Sequence, residues 1–134
     1  MSVNLTPYIH LDGSAATALA FYADILGGTP TTMTFGAFGM EGADAEKIMH
    51  GQLDTPAGLT LMCSDIPSHM IAEHGKTVTI ALSGDDAPVL RDWFAGLAEG
   101  GTVETPLEKQ MWGDEFGQLT DRFGIEWLVN ITDR

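Results

Sequence analysis

The sequence predicts an α+β fold of two tandem β-α-β-β-β modules, each forming a cupped mixed sheet with its helix on the outer face. Three observations carry that prediction. Two stretches of helical periodicity each follow a short strand and end in a glycine pair, Gly27-Gly28 and Gly100-Gly101. Across them Leu11 and Leu82, Gly13 and Gly84, Ala16 and Ala87, Leu19 and Leu90, and Leu26 and Leu97 all lie 71 positions apart, and Gly27-Gly28-Thr29 recurs as Gly100-Gly101-Thr102 after a shift of two. Matches at a fixed offset through a strand, a helix and its stop are the signature of a duplication. Finally, GQLTD and IEWLVNI alternate on either side of the Asp121-Arg122-Phe123-Gly124 turn, which reads as a β-hairpin near the C-terminal end.

Taken in order, Thr6 to Leu11 reads as a strand, followed by a helix with Ser14 at its N-cap. Ala15, Ala18, Leu19, Tyr22, Ile25 and Leu26 recur at helical spacing and form its apolar face. Thr29 to Phe35 is β-branched and strand-like, and Gly36 to Glu46 is a glycine-rich acidic loop. Ile48 to Leu53 and Leu59 to Ser64 form a hairpin around Thr55-Pro56-Ala57-Gly58. Ile66 to Lys76 is a polar connection whose His69 and His74, five apart, miss the i, i+4 spacing of a helical ligand pair. Thr77 to Leu82 is the next strand. Asp85 then caps a second helix, with Pro88 in its first turn and Leu90, Trp93, Phe94 and Leu97 as its stripe.

A chain of 134 residues and 44% hydrophobic content accommodates one domain made of two modules, about 5–66 and 76–132. No apolar run reaches bilayer length, and the N-terminal MSVNLTPYIHLDG has neither the basic nor the apolar region of an export signal. With Cys63 as the single cysteine, no internal disulfide is possible and a cytoplasmic location is expected. Six basic against 19 acidic residues give a net charge of −13. A field of that sign repels phosphate backbones and anionic lipid, so neither nucleic acid nor membrane is expected as a partner.

Strand alternation assigns faces. Ile9, Leu11, Ile80, Leu82, Leu59, Leu61, Cys63, Trp127, Val129 and Ile131 belong under the helices. The opposite, concave side collects Tyr8, His10, His50, Gln52, Thr60, Met62, Thr79, Ala81, Glu126, Leu128 and Asn130. A mixed polar set converging in a concavity has the make-up of a small-molecule site. Ligand-binding candidates are therefore Tyr8, His10, His50, Gln52, Met62, Thr79 and Asn130, with Trp112 in a loop before the final hairpin offering an indole to stack. His10, His50 and Glu126 are the candidates for proton transfer. Two imidazoles and a carboxylate also suit a divalent metal, or the histidines simply sit hydrogen-bonded in a polar pocket. Cys63, placed under the first helix, reads as a buried inert thiol. Asp121 reads as the cap of its turn.

These features resemble the vicinal oxygen chelate superfamily of glyoxalase I, extradiol dioxygenases and bleomycin-resistance proteins. The segments TPYIHLDGSAATALAFYADILGG, GLTLMCSD, FAGLAEGGTV and WGDEFGQLTDRFGIEWLVN look like its PhnB-like subgroup, nearly along the whole chain. The resemblance implies paired β-α-β-β-β modules. It also implies, in the metal-dependent members, His or Glu ligands at positions that fall here on Tyr8 (or Pro7), Met62 (or Thr60), Thr79 and Leu128. Those side chains are not ligands for a hard or borderline divalent ion, so no cofactor is expected and a divalent metal is the disfavoured alternative. The methyltransferase label often given to the subgroup has no S-adenosylmethionine motif to support it here.

Three functions follow as expectations: a metal-free small-molecule binding protein, an isomerase, lyase or dioxygenase-type enzyme acting on a small carbonyl or oxygenated substrate, or a dimeric structural or regulatory module. Two such modules per chain make a homodimer the expected assembly.

Overall fold

The computed structural model describes residues 5–66 and 78–132 and divides into two compact units, Met1–Glu73 and His74–Arg134. In the first, β1 (Tyr8–Leu11) leads into α1 (Ala15–Leu26), β2 (Thr31–Thr34), β3 (Ile48–Asp54) and β4 (Thr60–Asp65). In the second, β5 (Ile80–Gly84) is followed by α2 (Ala87–Ala98), β6 (Thr102–Lys109), β7 (Glu115–Thr120) and β8 (Glu126–Ile131). The sheet orders are β1-β4-β3-β2 and β5-β8-β7-β6, the same topology twice. The first strand of each pairs parallel with the last (Ile9 with Cys63, Ile80 with Trp127), and the other pairings are antiparallel. Two helices on two four-stranded mixed sheets form the α+β architecture of tandem β-α-β-β-β modules that the repeat predicts.

Each helix covers its own sheet. Ala15, Ala18, Leu19, Tyr22 and Leu26 of α1 are buried, and Leu90, Phe94 and Leu97 do the same for α2. Beneath them lie Ile9, Leu11, Leu53, Leu61 and Cys63 in one unit and Leu82, Leu119, Trp127, Val129 and Ile131 in the other. Burying one large aliphatic or aromatic side chain stabilises by roughly 1.5–3 kcal/mol, so these stripes hold helix to sheet. The glycine pairs end the helices for a steric reason as well. A Cβ on Gly28 would stand 2.2 Å from the Asp54 carbonyl oxygen, and one on Gly101 would stand 2.3 Å from that of Thr120. In both units the chain leaving the helix passes against the end of a neighbouring strand, where no side chain fits.

Several boundaries differ from the sequence reading. The first strand starts at Tyr8 rather than Thr6, the second covers Thr31–Thr34 rather than Thr29 to Phe35, and β5 begins at Ile80. The glycine-rich loop contains one 3-10 turn, Gly36–Phe38. Leu59 is not under α1. It precedes β4 in the turn and is exposed, because the Thr55 hydroxyl and carbonyl hold that turn closed from outside the sheet. The second helix is capped by Asp86, not Asp85, with the Asp86 side chain accepting from the Val89 amide at 3.5 Å. Ser14 occupies the N-cap of α1 but makes no side-chain cap. The Ala15 amide instead donates to Asp65 Oδ1 at 2.9 Å, while Oδ2 accepts from the Ile48 amide at 2.9 Å. Asp65, buried at the end of β4, thus ties α1 and β3 to one carboxylate. His69 and His74 lie outside the described residues.

Candidate functional site

The uncovered face of the first sheet is polar and aromatic. Alternation along β1 turns Tyr8 and His10 away from α1, and the β1–β4 register sets Tyr8 beside Met62 and His10 beside Ser64. Along β3 the same alternation exposes His50 and Gln52, with Gln52 opposite Met62. The side chains close into a network. The Tyr8 hydroxyl and His50 Nδ1 share a hydrogen bond of 3.2 Å, and His10 Nδ1 and the Ser64 hydroxyl share one of 3.1 Å. The Tyr8 ring lies 5.1 Å from that of His10 and 5.7 Å from that of His50, centroid to centroid. Both imidazoles use Nδ1 within the network, which makes Nε2 the atom each ring has left for a further hydrogen bond. Tyr8 is 43% exposed, so the aromatic group is open on one side.

Gln52 and Thr60 are held at the rim, the first donating to Asp54 Oδ2 at 3.0 Å and the second to Asp54 Oδ1 at 2.8 Å. Ser64 is the residue of this face that the sequence reading passed over. The alternation that exposes Thr60 and Met62 reaches it directly, and its burial between two histidine-bearing strands makes it the fixed point of the network.

Thr79, Trp112, Glu126 and Asn130 belong to the second unit. Thr79 immediately precedes β5, and the register Ile80 with Trp127 sets it next to Glu126. The Asn130 amide donates to Asp114 Oδ2 at 3.1 Å, tying β8 to the β6–β7 loop. Trp112, in that loop, is 61% exposed and meets Phe116 edge-on at 6.4 Å. Matching the units through their parallel pairs puts Ala81 where the first unit has His10 and Leu128 where it has Ser64. Equal topology therefore carries unequal chemistry at this pair, an imidazole and a hydroxyl in one sheet and two aliphatic side chains in the other. Asp121 is structural: its carboxylate accepts from the Phe123 amide (2.8 Å), the Ile125 amide (3.1 Å) and the Trp127 indole (2.8 Å).

The positions that the resemblance assigns to the superfamily metal offer a phenol at Tyr8, a thioether at Met62, a hydroxyl at Thr79 and an alkyl chain at Leu128, although in register Met62 corresponds to Glu126 and Leu128 to Ser64. That donor set does not fit a divalent ion. Among the described residues no three His, Cys, Asp or Glu side chains are grouped to hold a metal. Cys63 lies under α1, where burial, reinforced by the Asp65 charge, pushes its thiol from 9.0 up to about 12. It is no nucleophile at neutral pH.

The model of the glyoxalase/bleomycin resistance protein/dioxygenase superfamily matches residues 8–129. The chain is similar to protein YjdN of Escherichia coli K12, 27% identical over 140 aligned positions that cover 95% of this chain and 94% of that one. Among solved structures, protein PA1353 from Pseudomonas aeruginosa is 34% identical with a TM-score of 0.88, covering 99% of this chain and 100% of that one. A Bacillus cereus PhnB protein, titled a putative 3-demethylubiquinone-9 3-methyltransferase, shares the fold at TM-score 0.76 and 18% identity, covering 97% of this chain and 100% of that one.

Proposed function

The chain belongs to the glyoxalase/bleomycin resistance protein/dioxygenase superfamily, and from that premise we propose that it is a PhnB-like small-molecule-binding protein that holds its ligand without the superfamily metal. The observation that carries this reading is the Tyr8–His50 and His10–Ser64 network on the open face of the first sheet. It offers a ligand two imidazole nitrogens, an exposed phenol ring and the soft flank of Met62, on strands rigid enough to hold them in place. With a net charge of −13, the ligand class it favours is neutral or cationic, oxygenated and carrying a ring that lies along Tyr8.

A thermal-shift screen over quinones, glycopeptides and small oxyacids tests the reading. A ligand present at 100 times its Kd should stabilise the chain by about 2.7 kcal/mol. That gain should disappear in the Tyr8→Phe/His10→Ala double variant. A screen in which nothing stabilises the chain, or a gain that survives both changes, overturns the proposal.

A second reading has its own support. Each pair sets a hydroxyl at hydrogen-bond distance from an imidazole, the arrangement of a general base beside its proton source. On a substrate found by the screen, His10→Gln with His50→Gln should slow turnover by about 100-fold or more. Unchanged turnover sinks the enzymatic version. The assembly we propose is a homodimer in the cytoplasm. Light scattering should return about twice the chain mass, and a clean monomer refutes it. No described helix is long and apolar enough to cross a membrane.

A further inference from the structure

The second sheet holds a buried carboxylate oxygen that the fold leaves without a donor. Glu126 Oε2 is the single buried side-chain nitrogen or oxygen among the described residues that has no hydrogen-bond partner. Such atoms are rare in folded proteins because an unpaired buried acceptor is costly, and more so when it carries charge. Its surroundings supply no remedy. Thr120, opposite Glu126 in the β7–β8 register, gives its hydroxyl proton to Glu104 Oε1 at 2.9 Å. On the other side the β5–β8 register sets Thr79 beside Glu126. In register Glu126 therefore stands between two threonines, and neither donates to Oε2.

We propose that Glu126, flanked by Thr79 and Thr120, binds the primary ammonium group of a small molecule. An ammonium brings three N–H donors and no acceptor, which suits a carboxylate flanked by hydroxyl oxygens. A divalent metal suits the place less well, since no group of three metal-ligating side chains is present among the described residues. The net charge of −13 raises the local concentration of organic cations. The proposal rests on residues of the second unit alone and is tested independently of the Tyr8–His50 reading.

The test is a titration of the full chain with n-propylammonium chloride, followed by amide NMR shifts. Potassium chloride and tetramethylammonium chloride at equal ionic strength are the controls, the second having the charge without N–H donors. So small a probe calls for millimolar titration, to about 50 mM. Saturable shifts confined to residues 79–81, 119–120 and 126–128, seen with propylammonium alone and abolished in Glu126→Gln, support the proposal. Equal shifts with tetramethylammonium, no saturable shift, or shifts that persist in Glu126→Gln overturn it. A second variant guards against a misfolded mutant. Glu126→Leu removes the unpaired oxygen and should raise the melting temperature by about 3 °C or more. A lower melting temperature would show that the carboxylate is already satisfied within the fold, which also overturns the proposal.

Discussion

Replacing Asp65 by Asn isolates the single carboxylate on which the first unit is hung. Its two oxygens accept from the Ala15 and Ile48 amides, both at 2.9 Å, and the residue is 3% exposed. An amide side chain keeps one acceptor but turns an NH2 group toward the second donor, so one buried N–H loses its partner. Hydrogen bonds to a charged group contribute about 1.5–3 kcal/mol each, and an orphaned buried donor costs about 1–3 kcal/mol. Losing the charge on one bond and the whole of the other should therefore cost about 2–4 kcal/mol, a large part of the 5–15 kcal/mol typical of a domain. Urea unfolding followed by circular dichroism measures the change. Amide hydrogen exchange should show Ala15 or Ile48 losing protection first. A loss under about 0.5 kcal/mol, with both amides as protected as before, would refute the reasoning: α1 and β3 would then not depend on this carboxylate.

Other perturbations follow from the same structure. Cys63 ionises near 9.0 when unfolded but only at about 12 in the fold, so its contribution is full below pH 9 and is lost as pH rises toward 12. By pH 10 the loss should reach about 1.4 kcal/mol, and the slope of stability with pH between 8 and 10 should be flatter by that amount in Cys63→Ala. The native thiol should also resist a disulfide reagent at pH 8 until urea opens the first unit. Asp121→Ala strips three donors, including the Trp127 indole, of their acceptor. A loss of about 3–5 kcal/mol and a change in Trp127 emission should register it, and less than about 1 kcal/mol would contradict the assignment. Gly101→Ala drives a Cβ to 2.3 Å from the Thr120 carbonyl oxygen. The variant should unfold at clearly lower urea than the parent chain, by about 1–3 kcal/mol.

What was legible in the chain was whatever it writes locally or repeats. The helix stripes ending in Gly27-Gly28 and Gly100-Gly101 show both modules, because period 3.6 and a glycine stop are readable within 15 residues or so. Alternation puts Tyr8, His10, His50, Gln52 and Met62 on one face, and their registry bears this out. Four features escaped. Ser14 has the composition of a cap, yet the bond that anchors the helix comes from Asp65, 50 residues away from Ala15. Asp85 and Asp86 are equivalent in composition, and only the backbone angle at the second brings its carboxylate onto the Val89 amide. Ser64 lies on the alternation of Thr60 and Met62, but only the strand register shows that two histidines bracket it. The network itself required the register of β1 against β4 and β3, which no single strand contains.

The two helices begin in different ways, and that difference bears on how each half of the chain comes together. α2 carries its own start signal, Asp86 on Val89 with Pro88 beside it, all within four residues. α1 has no side-chain cap of its own and gets its first amide partner from a strand that follows it by half the unit. During synthesis or refolding α2 can begin as soon as its residues are free, whereas α1 waits for β4 to arrive and close a long loop. Duplication left two modules of one topology, one whose helix is self-starting and one whose helix reports that its sheet is complete.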